Sequence, residues 1–241
     1  GHLIIANEYL AFTGKFANLF AVVIQTGAIL AVIIYFKDKI FPSKEDFKSF
    51  KKFNNYMTIW YKVIIGVIPA AILGLLFEKR IEEILFHSTP VAIALIFGAI
   101  LLIIVENKEH KNSVTNEVDI TYKQAFIVGV FQCMALFPGM SRSASTIIGG
   151  LIVGFNRKIA AEFSFFLAIP VLIGAGLLKL IKMTFVFSQS QVFLLILGTI
   201  VSFIVAYLVI AFLMNYIKKN DFKIFAYYRI LLGILVLLIL N

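Results

Sequence analysis

Cysteine, histidine and charged residues are scarce in this chain of 241 residues. The single cysteine, Cys133, excludes a disulfide framework within the chain and a cysteine cluster for zinc, and the three histidines have no metal-ligand spacing. Charged residues make up only 15% of the chain, whereas hydrophobic residues make up 61% and the mean hydropathy is +0.98. This composition is far more apolar than that of a soluble domain and indicates a polytopic membrane protein.

Acidic residues are the minority among the charged ones, with 13 Asp and Glu against 22 Lys and Arg. The resulting net charge of +9 could suit a nucleic-acid-binding protein. The lysines, however, lie in short segments between apolar runs, which is the pattern of membrane topology. We therefore expect the bilayer as a partner and no nucleic acid.

Six apolar runs are long enough, or nearly so, to cross a hydrocarbon core about 30 Å thick as helices. If the first run crosses from outside to inside, the cytoplasmic segments carry fourteen Lys and Arg and the external segments carry four. This difference agrees with the positive-inside rule. The sequence thus predicts an all-α membrane protein with six transmembrane helices, at 17–36, 57–77, 90–105, 159–178, 192–217 and 224–240.

The stretch between the third and fourth runs breaks the apolar pattern. Pro138-Gly139 should end a helix that begins near Lys123, and Ser141 or Ser143 can cap a second helix. Each flanking apolar segment is about half as long as a span needs. Two half-length helices joined by a polar loop predict a re-entrant hairpin that enters from the cytoplasm and returns there.

The loop of this hairpin has the residues of an anion site. Backbone N–H groups at a helix N-terminus favour an anion, and the guanidinium of Arg142 can grip phosphate oxygens in bidentate fashion. The backbone of Gly139 and the hydroxyls of Ser141, Ser143 and Thr146 can add hydrogen bonds to phosphate. The sequence predicts a phosphate site within the membrane; the alternative is a Ser-rich loop in water whose arginine is solvated.

A weak internal repeat appears at an offset of 143 residues, where 12–20 aligns with 155–163. With three spans in each half and opposite orientations, it predicts two inverted three-helix repeats, about 1–106 and 124–241, within one integral-membrane domain covering 1–241. Such repeats place the working site near the midplane, where the halves meet. By this alignment the first repeat's hairpin would lie largely before Gly1, and we expect it to be missing here.

Several segments together are specific enough to indicate a family. Pro138–Thr146 resembles the P-G-x-S-R-S-x-x-T signature of the bacterial undecaprenyl-diphosphate phosphatase (bacitracin-resistance) family, and Gly1–Leu3 resembles the end of that family's other motif. Residues 20–27, 162–165 and 228–229 resemble further family segments in the same order. The resemblance covers the whole chain.

The resemblance implies hydrolysis of undecaprenyl diphosphate to undecaprenyl phosphate and inorganic phosphate, which recycles a lipid carrier for cell-wall synthesis and confers bacitracin resistance. It implies a bacterial inner-membrane enzyme whose active site opens to the outer face, with His2, Arg142 and Ser141 as catalytic residues. Either His2 or a serine upstream of Gly1 would be the nucleophile. A divalent cation, Mg²⁺ or Ca²⁺, is expected with ligands upstream of Gly1, so no metal ligand is named here.

Two further expectations come from the residues themselves. Inverted repeats with broken helices are also a transporter architecture, so the alternative function is a transporter or flippase for a phosphorylated polyprenyl lipid. Glu162 and Arg229 lie about 6 and 9 Å inside the cytoplasmic ends of their helices at 1.5 Å per residue. Because intramembrane charges usually pair, we expect these two to form a structural ion pair.

Overall fold

The computed structural model describes residues 14–85, 87–108, 113–181 and 188–239. Within these ranges the regular structure is helical. The α-helices are α1 Lys15–Tyr35, α2 Lys37–Ile40, α3 Phe50–Leu85, α4 Ser88–Glu106, α5 Tyr122–Gln132, α6 Arg142–Ile152, α7 Arg157–Ile181, α8 Gln189–Tyr216 and α9 Lys223–Ile239, with short 3₁₀ turns at Asp46–Lys48, Glu117–Asp119 and Cys133–Leu136. The predicted all-α polytopic membrane protein is confirmed.

Each of the six predicted runs corresponds to one long helix. In the described part of the chain, five of these helices are long and apolar enough to cross a membrane: α1, α3, α4, α7 and α8. The sixth run coincides with α9, of which 17 residues are described. The helix α3 is longer than its apolar run predicted, because the helix continues to Leu85 through polar residues after Phe77.

Pairs of contacts give the relative directions of neighbouring helices. The helices α1 and α8 are parallel, since Phe20 lies against Gly198 while Tyr35, fifteen residues on, contacts Tyr207. The helices α1 and α7 are antiparallel, since Val22 lies near Gly176 while Phe36, directly after α1, contacts Phe165 earlier in α7.

The helices α4 and α9 are antiparallel as well. Gly98 faces Arg229, whereas Ala92, earlier in α4, faces Gly233, later in α9. Because successive spans alternate, α1, α3 and α4 run opposite to α7, α8 and α9, respectively.

The helices α5 and α6 form the predicted hairpin. Each has 11 residues, about 16 Å of helix, which is half a hydrocarbon core. A capping box starts α5, in which the Thr121 side chain accepts from the N–H of Gln124 while the Gln124 side chain accepts from the N–H of Thr121. Val114, before α5, and Phe155, after α6, form a parallel bridge. The two ends of the hairpin are therefore adjacent, and the chain leaves on the side where it entered.

Charged contacts collect at this end, which we call the hairpin base: the end of the molecule that holds Val114 and Phe155. The carboxylate of Glu106 accepts from Nε and Nη2 of Arg157 and from the N–H of Phe222. Lys62, which is 3% exposed, donates to the carbonyl of Val118 at 2.6 Å. The contacts of Glu106 join α4, α7 and the start of α9, and that of Lys62 joins α3 to the segment that precedes the hairpin.

Candidate phosphate site

The turn between α5 and α6 requires two residues with positive φ. Gly139 has φ +98°, and a Cβ there would lie 2.3 Å from the carbonyl oxygen of Val91. Ser141 has φ 65° and ψ 115°, and it is the one non-glycine residue with positive φ in the described ranges. Such a conformation costs on the order of 1–3 kcal/mol and persists only where the surroundings impose it. The turn is therefore a strained backbone segment at the tip of the hairpin.

Ser141 is the N-cap of α6, whereas the sequence left both Ser141 and Ser143 as candidates. Its Oγ accepts from the N–H of Ala144 at 3.4 Å, and its carbonyl accepts from the hydroxyl of Ser145 at 3.0 Å. The N–H groups of Ser141, Arg142 and Ser143 have no hydrogen-bond partner in the described part of the chain. Three free donors at a helix N-terminus form a preorganised site for an anion.

Arg142 lies at the first position of α6 with its side chain half-buried. Its Nη1 donates to the carbonyl oxygen of Ser164 in α7 at 2.9 Å. This single bond fixes the guanidinium against α7 and leaves its other N–H groups without a partner among the described residues. A planar fork with free donors beside free backbone N–H groups suits a phosphate group.

Thr146 requires a correction. It was predicted to donate to phosphate, yet its residue is 0% exposed and its hydroxyl is bonded within the protein. The hydroxyl contacts the carbonyls of Arg142 at 3.0 Å and Ser143 at 3.1 Å, and the Oγ of Ser164 at 2.8 Å. Thr146 thus holds the first turn of α6 against α7. Ser164, a lone hydroxyl in an apolar stretch of α7, is the residue that the sequence reasoning missed, and its isolation was the available signal.

The predicted ion pair between Glu162 and Arg229 is wrong. Glu162 is 2% exposed and accepts from Nζ of Lys39 at 2.7 Å, and Lys39 also donates to Glu117. Burial lowers the pKa of Lys39, but its hydrogen bonds to these two carboxylates more than offset this, so that the pKa is raised. Glu162 faces the hairpin base, whereas Arg229 faces the hairpin tip, so the two side chains cannot meet.

Arg229 contacts the turn itself. Its Nη2 donates to the carbonyl oxygens of Gly139 at 3.1 Å and Met140 at 2.8 Å. The Nε and Nη1 atoms of Arg229, and both amide atoms of Gln132, are buried without a hydrogen-bond partner in the described ranges. The structure therefore brings Gly139, Ser141, Arg142 and Ser143 together and adds Arg229 behind them.

Two of the predicted features, the catalytic residue His2 and a site for a divalent cation, are not found among the described residues. His2 lies outside the described residues. In the described part of the chain no group of three or more His, Cys, Asp or Glu could hold a metal ion. The donors at the turn are N–H groups, hydroxyls and a guanidinium, which suit an anion and do not fit a divalent cation.

Two apolar cavities lie on either side of Phe137 at the hairpin tip. One, of about 480 Å³, separates the end of α3 from α5 and is lined by apolar side chains together with Arg80. The other, of about 450 Å³, lies between the start of α4 and the tip and reaches Met140, next to Ser141. An apolar space thus adjoins the polar turn.

Known proteins are similar in sequence to nearly the whole chain. An undecaprenyl-diphosphatase 1 from Clostridioides difficile (strain 630) is 48% identical over 239 residues, which cover 98% of this chain and 87% of the relative. An undecaprenyl-diphosphatase from Caldanaerobacter subterraneus subsp. tengcongensis is 48% identical over 241 residues, covering 100% and 88%. One from Enterococcus faecalis is 45% identical over 246 residues, covering 99% and 88%. Residues 1–235 match the family described as bacitracin resistance protein BacA, and the chain belongs to that family.

Proposed function

We propose that this protein is an integral-membrane phosphatase that hydrolyses undecaprenyl diphosphate to undecaprenyl phosphate and inorganic phosphate. The observation that supports this most is the strained turn at Ser141, where three N–H groups without a partner among the described residues adjoin Arg142, whose guanidinium makes one hydrogen bond among them. The family and the named activity of relatives 45–48% identical support the same reaction. The reaction regenerates the lipid carrier of cell-wall synthesis and accounts for bacitracin resistance.

The chemistry follows from the charge of the substrate. A nucleophile attacks the terminal phosphorus, the bond from that phosphorus to the bridging oxygen breaks, and undecaprenyl phosphate leaves with the electron pair. Phosphoryl transfer passes through a loose transition state with charge spread over the equatorial and leaving oxygens. The N–H groups of Ser141, Arg142 and Ser143 and the guanidinium of Arg142 stabilise that charge without reorganisation, because the backbone and Ser164 already hold them.

The nucleophile and the cation belong to the proposal as well. We assign the attack on phosphorus to His2 or to a serine upstream of Gly1, on the resemblance alone. The phosphoryl group is then bonded to that residue, and water attacks the phosphorus, breaks this bond and releases inorganic phosphate with the nucleophile restored. A divalent cation, Mg²⁺ or Ca²⁺, bound by residues upstream of Gly1 would supply further charge neutralisation. The turn itself does not fit a cation, and none of the steps given above uses one.

The isoprenoid chain of the substrate needs an apolar path away from the phosphates. The two cavities beside Phe137 offer such a path, and Met140 connects one of them to the turn. Because the tail already lies in hydrocarbon, these cavities would orient it through van der Waals contacts rather than add hydrophobic binding energy. The substrate would therefore lie with its phosphates on α6 and its tail along the hairpin tip.

The proposed location is the bacterial inner membrane, with the phosphate site opening to the outer face. The excess of Lys and Arg in segments 37–56, 106–123, 156–158 and 217–224 supports a cytoplasmic hairpin base. The charged contacts at that base close the cytoplasmic side, which leaves the hairpin tip for the outer side.

Phosphate release by the purified full-length protein in detergent tests the proposed function. Arg142→Ala should lower the rate by a factor of about 10² to 10³, and Arg142→Lys should recover little, because an ammonium lacks the bidentate fork. Lys158→Ala is the matched control: it removes an exposed cation at the start of α7 and should leave the rate unchanged. Retention of more than about a tenth of the wild-type rate by Arg142→Ala would contradict the assignment.

The transporter alternative gives a different result in the same preparation. The observation that favours it is that α1, α3 and α4 run opposite to α7, α8 and α9. Reconstituted protein that moves a polyprenyl phosphate across vesicles without releasing phosphate would support the alternative and refute the phosphatase.

A further inference from the structure

The guanidinium of Arg229 lies behind the Gly139–Ser141 turn rather than beside an acid. Arg229 is 9% exposed, and its hydrogen bonds run from Nη2 to the carbonyls of Gly139 and Met140. None of the ion pairs found among the described residues includes it. A buried cation whose partners are two neutral carbonyls of one turn costs free energy, which a negative charge bound nearby would offset.

The bond to Met140 fixes the direction of the next N–H group. The carbonyl of Met140 and the N–H of Ser141 belong to one planar trans peptide, in which the two groups point in opposite directions. When Nη2 of Arg229 binds that carbonyl at 2.8 Å, the N–H of Ser141 must point away from α9. This N–H is one of the three free donors of the phosphate site. A cation on the carbonyl also polarises the peptide and strengthens its N–H as a donor.

The sequence leaves room for this contact at one position of α4. A Cβ at Gly98 would lie 2.6 Å from Nη2 of Arg229 and 3.2 Å from the carbonyl oxygen of Met140. Any side chain at position 98 would therefore push the guanidinium off the turn. The contact depends on a glycine in one span, an arginine in another and the strained turn between them.

We propose that Arg229 is a positioning residue of the phosphate site. It holds the Met140–Ser141 peptide so that the N–H of Ser141 faces the diphosphate, and it places a second positive charge behind the turn while Arg142 supplies the first in front. The proposal rests on the proposed function, because it assigns a role in binding and hydrolysing the same diphosphate. The negative charge of the substrate then compensates the buried guanidinium.

Three variants and one control test the proposal. Arg229→Gln removes the charge, Arg229→Lys keeps the charge on a shorter donor, and Gly98→Ala keeps Arg229 but displaces it from the turn. Lys62→Met is the matched control, since Lys62 is another buried cation whose Nζ donates to a backbone carbonyl, at the hairpin base. For each variant we would measure kcat and KM per folded protein, and the shift in Tm caused by inorganic pyrophosphate.

The expected results separate positioning from structural support. Arg229→Gln should lower kcat by about 10²-fold, which is the cost of a small misplacement of catalytic groups, and should abolish the pyrophosphate shift. Gly98→Ala should change both quantities in the same direction by less, and Arg229→Lys should recover part of the loss. Lys62→Met should lower Tm while its kcat, KM and pyrophosphate shift stay at the wild-type values.

The proposal is overturned if Arg229→Gln keeps the wild-type kcat and pyrophosphate shift, or if Lys62→Met loses them equally. If Arg229→Gln does not fold, Gly98→Ala tests the proposal instead, because this variant keeps Arg229 and its charge. A wild-type kcat and a wild-type pyrophosphate shift in Gly98→Ala would then refute the positioning role. Wild-type protein that releases no phosphate would refute the proposed function instead. The pyrophosphate shifts would then still decide whether Arg229 organises an anion site.

Discussion

Replacement of Ser141 offers a test of the strained turn, because alanine and glycine remove the same hydroxyl but respond differently to φ 65°. Alanine keeps the strain and loses the N-cap, which costs about 1 kcal/mol. Glycine releases a strain of about 2 kcal/mol, loses a few tenths as a cap and costs about 0.7 kcal/mol in chain entropy. Ser141→Gly should therefore be more stable than Ser141→Ala by about 2 kcal/mol.

The neighbouring serine is an internal control. Ser143 lies within α6, where alanine is favoured over glycine by about 1 kcal/mol, so the order of the two substitutions should reverse there. Thermal unfolding of the four variants at one scan rate in detergent measures the order, and phosphate release should fall in both Ser141 variants. If Ser141→Ala proves as stable as Ser141→Gly, then Ser141 does not carry the strain and the reasoning about the turn fails.

Two further predictions concern the hairpin base and the orientation. Arg157→Gln should cost about 3 kcal/mol, since it leaves the buried carboxylate of Glu106 without its cation, and a double-mutant cycle with Glu106→Gln should be clearly non-additive if the pair matters. In a Cys133→Ala background, a cysteine at Lys48 should resist a membrane-impermeant thiol reagent in intact cells while one at Ser190 reacts; the reverse labelling would contradict an outward-facing site.

The spans and the hairpin could be predicted because their signals are local. Apolar runs report where the chain meets lipid, and Pro138-Gly139 reports where a helix must stop. The same logic explains why α3 extends beyond its predicted span, since the span ends at Phe77 and the helix continues to Leu85. Hydropathy marks the membrane and not the helix, so polar residues that prolong a helix into water leave no apolar signal.

The partners of the charged residues could not be predicted. The rise of 1.5 Å per residue gave the depth of Glu162 and Arg229 but not the direction that each side chain faces. Glu162 meets Lys39 from the short helix α2, and Arg229 meets carbonyls, which every residue carries and which leave no trace in a sequence. The role of Thr146 was misread for a similar reason, since its partner Ser164 lies on a different helix.

The length of α3 connects the phosphate site to the thickness of the membrane. The whole of α3 has 36 residues and extends about 54 Å, whereas the hydrocarbon core measures about 30 Å. Its apolar run, 57–77, extends about 32 Å and matches that core, so both ends of α3 project beyond it. Because α5 runs parallel to α3 and contacts it at Gly66, while Leu136 of the 3₁₀ turn lies against Gly74, the hairpin tip moves with α3. The depth of the turn below the headgroups, and with it access for a lipid diphosphate, is thereby set by the bilayer in which the protein is embedded.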